Sequence, residues 1–355
     1  MTETLEGRLG ELGRVLGRRV TFMEVCGTHT VELFRTGVRS MLPREIRLIS
    51  GPGCPVCVTD QRDIDAALFL ARLPGVIFTT YGDMLRVPGS RGSLGDARGE
   101  GADVRVITSA AQALEGARQT PCREVVFCAV GFETTAPATA AVLLEARRQG
   151  IKNFSVLSLH KRVPPALELL ASAPDLAVDG FLLPGHVGVI LGEEPFRFLP
   201  EKFGVPCALA GFEAEEMAAG IAELGRQVIL RAPAVRSVYP RAVRPEGNPR
   251  ARSLMEEVFS PARAPWRGLG EMASSGLALR EDFSPFDARR RFDLPPFPFV
   301  STPCACGAVL SGRIDPPECP LFGTSCTPVS PVGPCMVSGE GSCAAHHRFG
   351  RGWAE

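Results

Sequence analysis

Short apolar runs alternate with helix-like stretches along the chain up to about residue 232. The runs at residues 76–79, 104–108 and 124–130 have the length and composition of buried strands. The stretch at 109–117 lies between two of them and is predicted as a helix. A regular strand-then-helix order is typical of parallel sheets covered by helices, so the pattern predicts an α/β fold.

The same pattern divides the chain into units. The turn Gly-Phe-Glu occurs at 131–133 and at 211–213, each time between a predicted strand and a predicted helix, which is compatible with repeated α/β units. Leucines at helical spacing near the N-terminus predict a docked surface helix, and beyond residue 232 proline and arginine replace the apolar periodicity. We predict two parallel-sheet α/β domains that face a cleft, and a third, mostly irregular or helical domain. Their bounds are 20–122, 123–232, and 1–19 together with 233–355.

Composition narrows the classes of function. Lys plus Arg and Asp plus Glu number 39 each, so the formal net charge is zero, which argues against a nucleic-acid or acidic-membrane partner. The N-terminus lacks the apolar core of a secretory signal, and no run approaches the roughly 18 apolar residues of a membrane helix, so a cytoplasmic protein is expected. No phosphate-binding glycine motif supports nucleotide binding. Twelve cysteines in such a protein favour metal or redox chemistry.

The first candidate site is the sequence Gly51-Pro-Gly-Cys54-Pro-Val-Cys57, which lies between a predicted strand and a predicted helix. Its prolines and glycines fix an unusual backbone, and the glycines would let another group approach closely. The two thiols could form a redox pair, half of a metal site, or two buried side chains. Because no second Cys-x-x-Cys is present to complete a zinc site, we favour a redox pair, or a pair that cooperates with Cys26.

The second candidate site is Cys26-Gly-Thr-His29-Thr30, which follows a predicted strand. The positive end of the next helix and a protonated His29 would each favour a thiolate at Cys26. A thiolate is the form that binds a soft metal or attacks an electrophile. The alternative is that Cys26 is a small buried residue and that Thr28 or Thr30 caps the helix.

Three more polar residues follow predicted strands: Glu133, His160 and His186. Each of them could be an ordinary turn residue when it is considered alone. The carboxyl ends of parallel strands meet at one edge of a sheet, so together these residues indicate a cleft into which several strand ends point. Glu133 and His186 are the stronger candidates for its lining.

Six cysteines are concentrated near the C-terminus, at positions 304, 306, 319, 326, 335 and 343. Glycine and proline dominate between them, as in loops that wrap a metal centre. Four thiolates could hold zinc or an iron–sulfur cluster. Zinc sites usually use closely spaced cysteine pairs, so the long and unequal gaps favour a [4Fe-4S] cluster. Structural disulfides are not expected in the cytoplasm.

Taken in order, these blocks resemble the signature sequences of the HypD family, the hydrogenase expression/formation proteins of [NiFe]-hydrogenase maturation. The blocks extend from residue 26 to residue 343 and so cover nearly the whole chain. They are Cys26-Gly-Thr-His-Thr, Gly51-Pro-Gly-Cys-Pro-Val-Cys57, Gly131-Phe-Glu-Thr-Thr, Pro184-Gly-His-Val, Cys319-Pro-Leu-Phe-Gly-Thr-Ser-Cys326-Thr-Pro, Gly333-Pro-Cys-Met-Val-Ser338 and Glu340-Gly-Ser-Cys343.

The resemblance implies a scaffold on which the Fe(CN)2CO group of the hydrogenase is assembled, together with the small chaperone HypC. Cyanide would arrive from HypE with HypF, and the finished iron unit would pass to the hydrogenase large subunit. Carried over by position, Cys26 would be an iron ligand, with Cys54 and Cys57 as a redox-active pair at the same metal site. A third domain would hold a [4Fe-4S] cluster. Its favoured ligands are Cys304, Cys319, Cys326 and Cys343, any one of which Cys306 or Cys335 could replace.

Our hypothesis is that the Cys54–Cys57 pair cycles between disulfide and dithiol and receives electrons from the C-terminal cluster. His29 would orient or protonate groups near Cys26. Two other classes stay open: an iron–sulfur thiol–disulfide oxidoreductase, in which Cys26 is incidental, and a zinc-stabilised binding module. A cysteine protease is disfavoured, because Cys26 and His29 on one short turn seldom give a separate nucleophile and base.

Overall fold

Strands and helices alternate along residues 4–175 and 178–350, the part of the chain that the computed structural model describes. The strands are β1 (Val20–Glu24), β2 (Ile46–Ser50), β3 (Val76–Thr80), β4 (Asp103–Val106), β5 (Glu124–Gly131), β6 (Phe154–His160), β7 (Gly180–Pro184), β8 (Cys207–Ala210), β9 (Val235–Ser237), β10 (Phe259–Trp266) and β11 (Gly270–Leu279). The helices are α1 (Leu5–Leu16), α2 (Gly27–Arg35), α3 (Pro55–Val58), α4 (Gln61–Ala71), α5 (Leu94–Gly99), α6 (Ala110–Gln119), α7 (Ala136–Arg148), α8 (Val163–Ala171), α9 (Gly185–Leu191), α10 (Phe198–Phe203), α11 (Ala214–Leu230), α12 (Pro249–Val258), α13 (Ala288–Arg291), α14 (Cys306–Leu310) and α15 (Ser342–Phe349). No helix in the described ranges is long and apolar enough to cross a membrane.

Five parallel strands form the first sheet, in the order β2-β1-β7-β8-β9. Val20 of β1 is in register with Ile46 of β2, and Phe22 is in register with Gly180 of β7 on the other side. The predicted N-terminal surface helix is α1, which buries Leu9 in the apolar cluster of this sheet and packs against α11. Helix α1 therefore docks on the five-stranded sheet. The domain division predicted from the sequence places it with residues 233–355 instead.

Four parallel strands form the second sheet, in the order β4-β3-β5-β6. Side chains alternate between its two faces: Val126 and Cys128 of β5 lie in one apolar cluster, and Val125 and Phe127 lie in another. Both faces are therefore buried, as is usual where helices cover a parallel sheet. The predicted α/β fold with parallel sheets is confirmed.

The two sheets interleave along the chain. After β2 the chain leaves the first sheet, completes β3 to β6, and returns to the first sheet at β7. The predicted boundary between residues 122 and 123 therefore falls inside the four-stranded sheet, because β5 pairs with β3. One apolar cluster contains Met23 of β1, Cys128 of β5 and Phe181 of β7, so a continuous core joins the two sheets.

The segment after residue 232 contains an element that the sequence pattern does not predict. Strands β10 and β11 form an antiparallel hairpin where irregular or helical structure is expected. Pro261 and Pro265 interrupt the residue pattern that would predict a strand. Proline is tolerated in edge strands, and each strand of a two-stranded sheet is an edge strand. The helix predicted at 252–259 is present as α12, and short helices and turns follow the hairpin.

Candidate functional site

The carboxyl ends of parallel strands bring several predicted site residues together. Cys26 follows β1, Cys54 follows the Gly-Pro-Gly turn after β2, and His186 follows β7. Strands β2, β1 and β7 are neighbours in the five-stranded sheet, so these three residues meet at one edge of it.

A cavity of about 460 Å³, called here the strand-end cavity, lies at this edge. Cys26 and His186 contribute to its wall from the five-stranded sheet, and Phe132 contributes from the end of β5 in the four-stranded sheet. Asp83 and Glu340 reach it from segments outside both sheets. The two sheets and the C-terminal segment thus enclose one space, which has the volume of a small-ligand site.

Cys26 is the N-cap residue of α2, and it lies in the wall of the strand-end cavity. Only 8% of the residue is exposed. Burial raises the pKa of the Cys26 thiol to about 11, against the opposing effect of the His29 backbone N–H. The thiol is therefore protonated at neutral pH. The expected thiolate would form only when a metal displaces the proton.

The backbone of Cys26 is held by close contact with Gly53. The N–H of Gly27 donates to the carbonyl oxygen of Gly53 at 3.0 Å. A Cβ added to Gly53 would lie 2.3 Å from the backbone nitrogen of Cys26, a distance that no side chain could occupy. The predicted close approach at this glycine is confirmed, and the group that approaches is the residue that bears the candidate thiol.

Cys54 and Cys57 are joined by a disulfide across the single turn of α3. The N–H of Cys57 donates to Cys54 Sγ at 3.1 Å, and both residues are buried. Among the described residues that line the strand-end cavity are Pro55 and Val56, but not the two cysteines. Helix α3 also packs against the turn Pro334–Met336. The disulfide is therefore next to both the cavity wall and the C-terminal segment.

His29 is fully buried, and it joins α2 to the turn after β8. Its Nε2 lies 2.8 Å from the carbonyl oxygen of Gly211, so Nε2 carries the proton and donates it. The imidazole lies 4.7 Å from the ring of Phe212. Burial lowers the pKa of His29 to about 4, so the ring is neutral at pH 7. The expected protonated His29 beside Cys26 is therefore wrong at neutral pH.

His186 and Glu133 differ in their positions. The exposed His186 lines the strand-end cavity and stacks on Phe212 with 4.0 Å between ring centroids. Glu133 is buried, and its two carboxylate oxygens accept the N–H of Val163 at 3.1 and 3.2 Å, at the start of α8. The side chain of Glu133 is absent from the described cavity lining, because the helix N-terminus holds its carboxylate elsewhere. The prediction that it lines the cleft is therefore wrong.

Asp83 and Glu340 are cavity residues that sequence reasoning misses. Glu340 Oε1 accepts the hydroxyl of Thr28 at 2.7 Å, and Asp83 Oδ2 accepts the hydroxyl of Ser338 at 2.8 Å. A Cβ on Gly27 would lie 2.4 Å from the Glu340 carbonyl oxygen. Glu340 is the first residue of the block Glu340-Gly-Ser-Cys343, and that block was the sequence signal available for it. Its partner is 312 positions away, and no local pattern reveals such a contact.

The six C-terminal cysteines line one small cavity, called here the cysteine cavity. They are Cys304, Cys306, Cys319, Cys326, Cys335 and Cys343. Most of the other lining side chains are apolar, among them Val309 and Phe322. A hydrogen bond between the thiols of Cys304 and Cys306 raises the pKa of Cys304 and lowers the pKa of Cys306. The structure thus gathers all six predicted cysteines in one place.

These features define a cysteine-rich α/β protein in which two parallel sheets share one cavity. Its sequence matches the HypD family, described as the Hydrogenase formation hypA family, over residues 3–350. It is 45% identical to the hydrogenase maturation factor HypD of Cupriavidus necator over 344 residues, which cover 94% of this chain and 91% of that protein. It is 40% identical to HypD of Escherichia coli K12 over 351 residues, or 98% of this chain and 94% of that protein. The chain belongs to the HypD family of hydrogenase maturation factors.

Replacement of Gly53 by Ala should displace Cys26, because the new Cβ would collide with a backbone nitrogen that cannot swing aside. We expect the free energy of unfolding, measured in urea, to fall by about 1–3 kcal/mol, the usual cost of overpacking. Gly116→Ala in α6 is the matched control, because nothing lies within 4 Å of its Cβ position. That variant should be as stable as the unaltered protein or slightly more stable. Equal stability of both variants would contradict the close contact.

Stability should fall as the pH rises through the range in which Glu133 ionises. Burial raises the pKa of Glu133 from 4.5 to about 7, so its contribution is fully present below pH 4.5 and is lost as the pH rises through 7. Glu133→Gln should reduce the difference in unfolding free energy between about pH 5 and about pH 8 by roughly 2–3 kcal/mol. Urea unfolding of both proteins at the two pH values measures this. An unchanged difference would mean that the Val163 N–H offsets the effect of burial.

Proposed function

We propose that this maturation factor is the scaffold on which the Fe(CN)2CO group of [NiFe] hydrogenases is assembled, in the cytoplasm and with a HypC-type chaperone. HypE, with HypF, would supply cyanide, and the finished unit would pass toward the hydrogenase large subunit. The observation that carries the proposal is the position of Cys26. Among the described residues that line the 460 Å³ strand-end cavity, it is the one cysteine.

Iron is the substrate in this proposal, and Cys26 would bind it through sulfur. A thiol with a pKa of about 11 yields its proton only to a strong competitor, such as a coordinating metal ion. Helix α2 begins at Gly27, and the positive end of that helix favours both a thiolate and anionic cyanide ligands. Thiolate, cyanide and carbon monoxide together make a soft ligand set that suits Fe(II). A chaperone cysteine would supply a second sulfur.

The Cys54–Cys57 pair would be the redox partner of this iron site. Reduction of the disulfide consumes two electrons and two protons and yields two thiols. Burial keeps both sulfurs from exchange with small thiols and disulfides in solution. Pro55 and Val56 lie between the two cysteines and line the strand-end cavity. A change in the conformation of the pair on reduction would therefore alter the cavity wall.

The cysteine cavity fits a [4Fe-4S] cluster in its donor chemistry. Six thiols surround it, which exceeds the four thiolates that such a cluster takes, and its other neighbours are mostly apolar. In residues 4–175 and 178–350 no three His, Cys, Asp or Glu side chains converge enough to hold a metal ion, so the thiols would have to turn inward. When bound, the cluster supplies one-electron chemistry. The proposed ligands are Cys304, Cys319, Cys326 and Cys343.

An iron–sulfur thiol–disulfide oxidoreductase is the second candidate, and the disulfide of Cys54 and Cys57 favours it. In that function Cys26 would be incidental. A disulfide exchange with another protein requires an accessible sulfur, whereas both of these cysteines are buried. Burial therefore favours the scaffold over the oxidoreductase.

Cys26→Ala should abolish iron binding in the strand-end cavity, because it removes the proposed sulfur ligand. We expect the infrared bands of iron-bound CN and CO to disappear from the anaerobically isolated complex with the chaperone, while the visible absorbance of the cluster is unchanged. Cys122→Ala, at an exposed cysteine, is the matched control and should retain the bands. Bands that survive in Cys26→Ala would reject Cys26 as the ligand and favour the oxidoreductase.

The cluster of the anaerobically purified protein should contribute iron and acid-labile sulfide in equal amounts, and iron in the strand-end cavity would add to the iron alone. Stoichiometric zinc should be absent. Cys319→Ala and Cys326→Ala should each lose the cluster absorbance, because each removes a proposed ligand. Cys306→Ala should retain the absorbance and serves as the matched control from the same cavity. Zinc without iron would reject the cluster and leave the zinc-stabilised module.

A further inference from the structure

Arg267 is a buried cation for which the proposed function has no role. It follows β10, and only 6% of the residue is exposed. Its backbone N–H donates to the carbonyl oxygen of Val58 at 2.9 Å, and its Nε donates to that of Thr59 at 2.9 Å. The preceding residue, Trp266, stacks on Phe132 with 6.0 Å between ring centroids. These contacts hold the guanidinium at the end of α3 and away from solvent.

The guanidinium has no counter-ion in the described part of the chain. No carboxylate in residues 4–175 and 178–350 pairs with Arg267, and its Nη2 is buried without a hydrogen-bond acceptor. A buried charge without an opposite charge is strongly disfavoured, because it has lost its hydration. The buried Lys161 shows the usual solution, since it pairs with Asp63 at 3.2 Å. The position of Arg267 therefore calls for an anion that the working protein supplies.

The cysteine cavity lies beside Arg267. A Cβ on Gly268 would lie 2.2 Å from Cα of Gly307, so the residue after Arg267 touches the residue after Cys306. Arg267 and Cys306, which lines the cysteine cavity, are therefore each one residue away from the same backbone contact. This contact places the unpartnered cation next to the cavity.

We propose that Arg267 is the counter-cation of the cysteine cavity, where its guanidinium balances the negative charge that four thiolates bring to a cluster. The inference rests on the proposed cluster. Reduction adds one electron to a centre that is already negative, and a fixed positive charge in an apolar surrounding favours that change. Arg267 would therefore raise the reduction potential of the cluster without being one of its ligands.

The effect of charge can be separated from the effect of shape with two variants of Arg267. Arg267→Met removes the cation and suits an apolar site, so it should fold, whereas Arg267→Lys retains the cation. Arg263→Gln is the matched control, because it removes a positive charge from an exposed position on β10, the strand that precedes Arg267. Redox titration of the anaerobically purified full-length protein, followed by electron paramagnetic resonance, measures the reduced fraction of the cluster.

At the midpoint potential of the unaltered protein, Arg267→Met should show a reduced-to-oxidised ratio about tenfold lower, equal to a shift of about 59 mV to lower potential. Arg267→Lys and Arg263→Gln should stay close to the unaltered ratio. Loss of the cluster from Arg267→Met but not from Arg267→Lys would also support the inference, since the charge would then be needed for assembly.

An unchanged ratio in Arg267→Met would overturn the inference. Loss of the cluster from both Arg267 variants, with circular dichroism spectra equal to that of the unaltered protein, would overturn it as well, because charge would then not be the property that matters. Absence of iron and sulfide from the unaltered protein would overturn the proposed cluster itself. A cluster that is present but insensitive to Arg267 would overturn this inference alone.

Discussion

The site depends on the backbone contact between Gly53 and Cys26. With no side chain between them, the turn after β2 lies directly against Cys26, the residue that caps α2. The next residue after Gly53 is Cys54, which opens α3 and its disulfide. One pair of neighbouring parallel strands therefore positions both the free thiol and the disulfide. Any larger residue at position 53 would separate the two groups.

Burial then decides the protonation states around this contact. It raises the pKa of Cys26 to about 11 and lowers the pKa of His29 to about 4, so both groups are neutral at pH 7. A neutral pair avoids the cost of isolated charges in an apolar core. A metal that binds Cys26 must accordingly displace a proton, and no charged His29 repels it. If iron binds Cys26 as proposed, its binding would be coupled to proton release.

The sequence predicts the features that local chemistry determines. The apolar run at 124–130 forms β5, and the glycine at position 53 allows the close approach expected of it. Sheet membership could not be predicted, because β1 pairs with β7 across a stretch that builds the whole second sheet. The orientation of Glu133 depends on the N-terminus of α8, and the position of Glu340 depends on Thr28, 312 residues away. Such tertiary contacts leave no trace in periodicity or spacing.

The C-terminal segment connects the two cavities. The turn Pro334–Met336, which carries Cys335 of the cysteine cavity, packs against α3, and the loop that follows it ends with Glu340 on Thr28 in the strand-end cavity. This loop is closed on itself, because a Cβ on Gly341 would lie 2.1 Å from the carbonyl oxygen of Cys335. Close packing leaves this loop little free volume. The segment that carries Cys335 therefore contacts the disulfide helix and, through Glu340, the wall of the strand-end cavity.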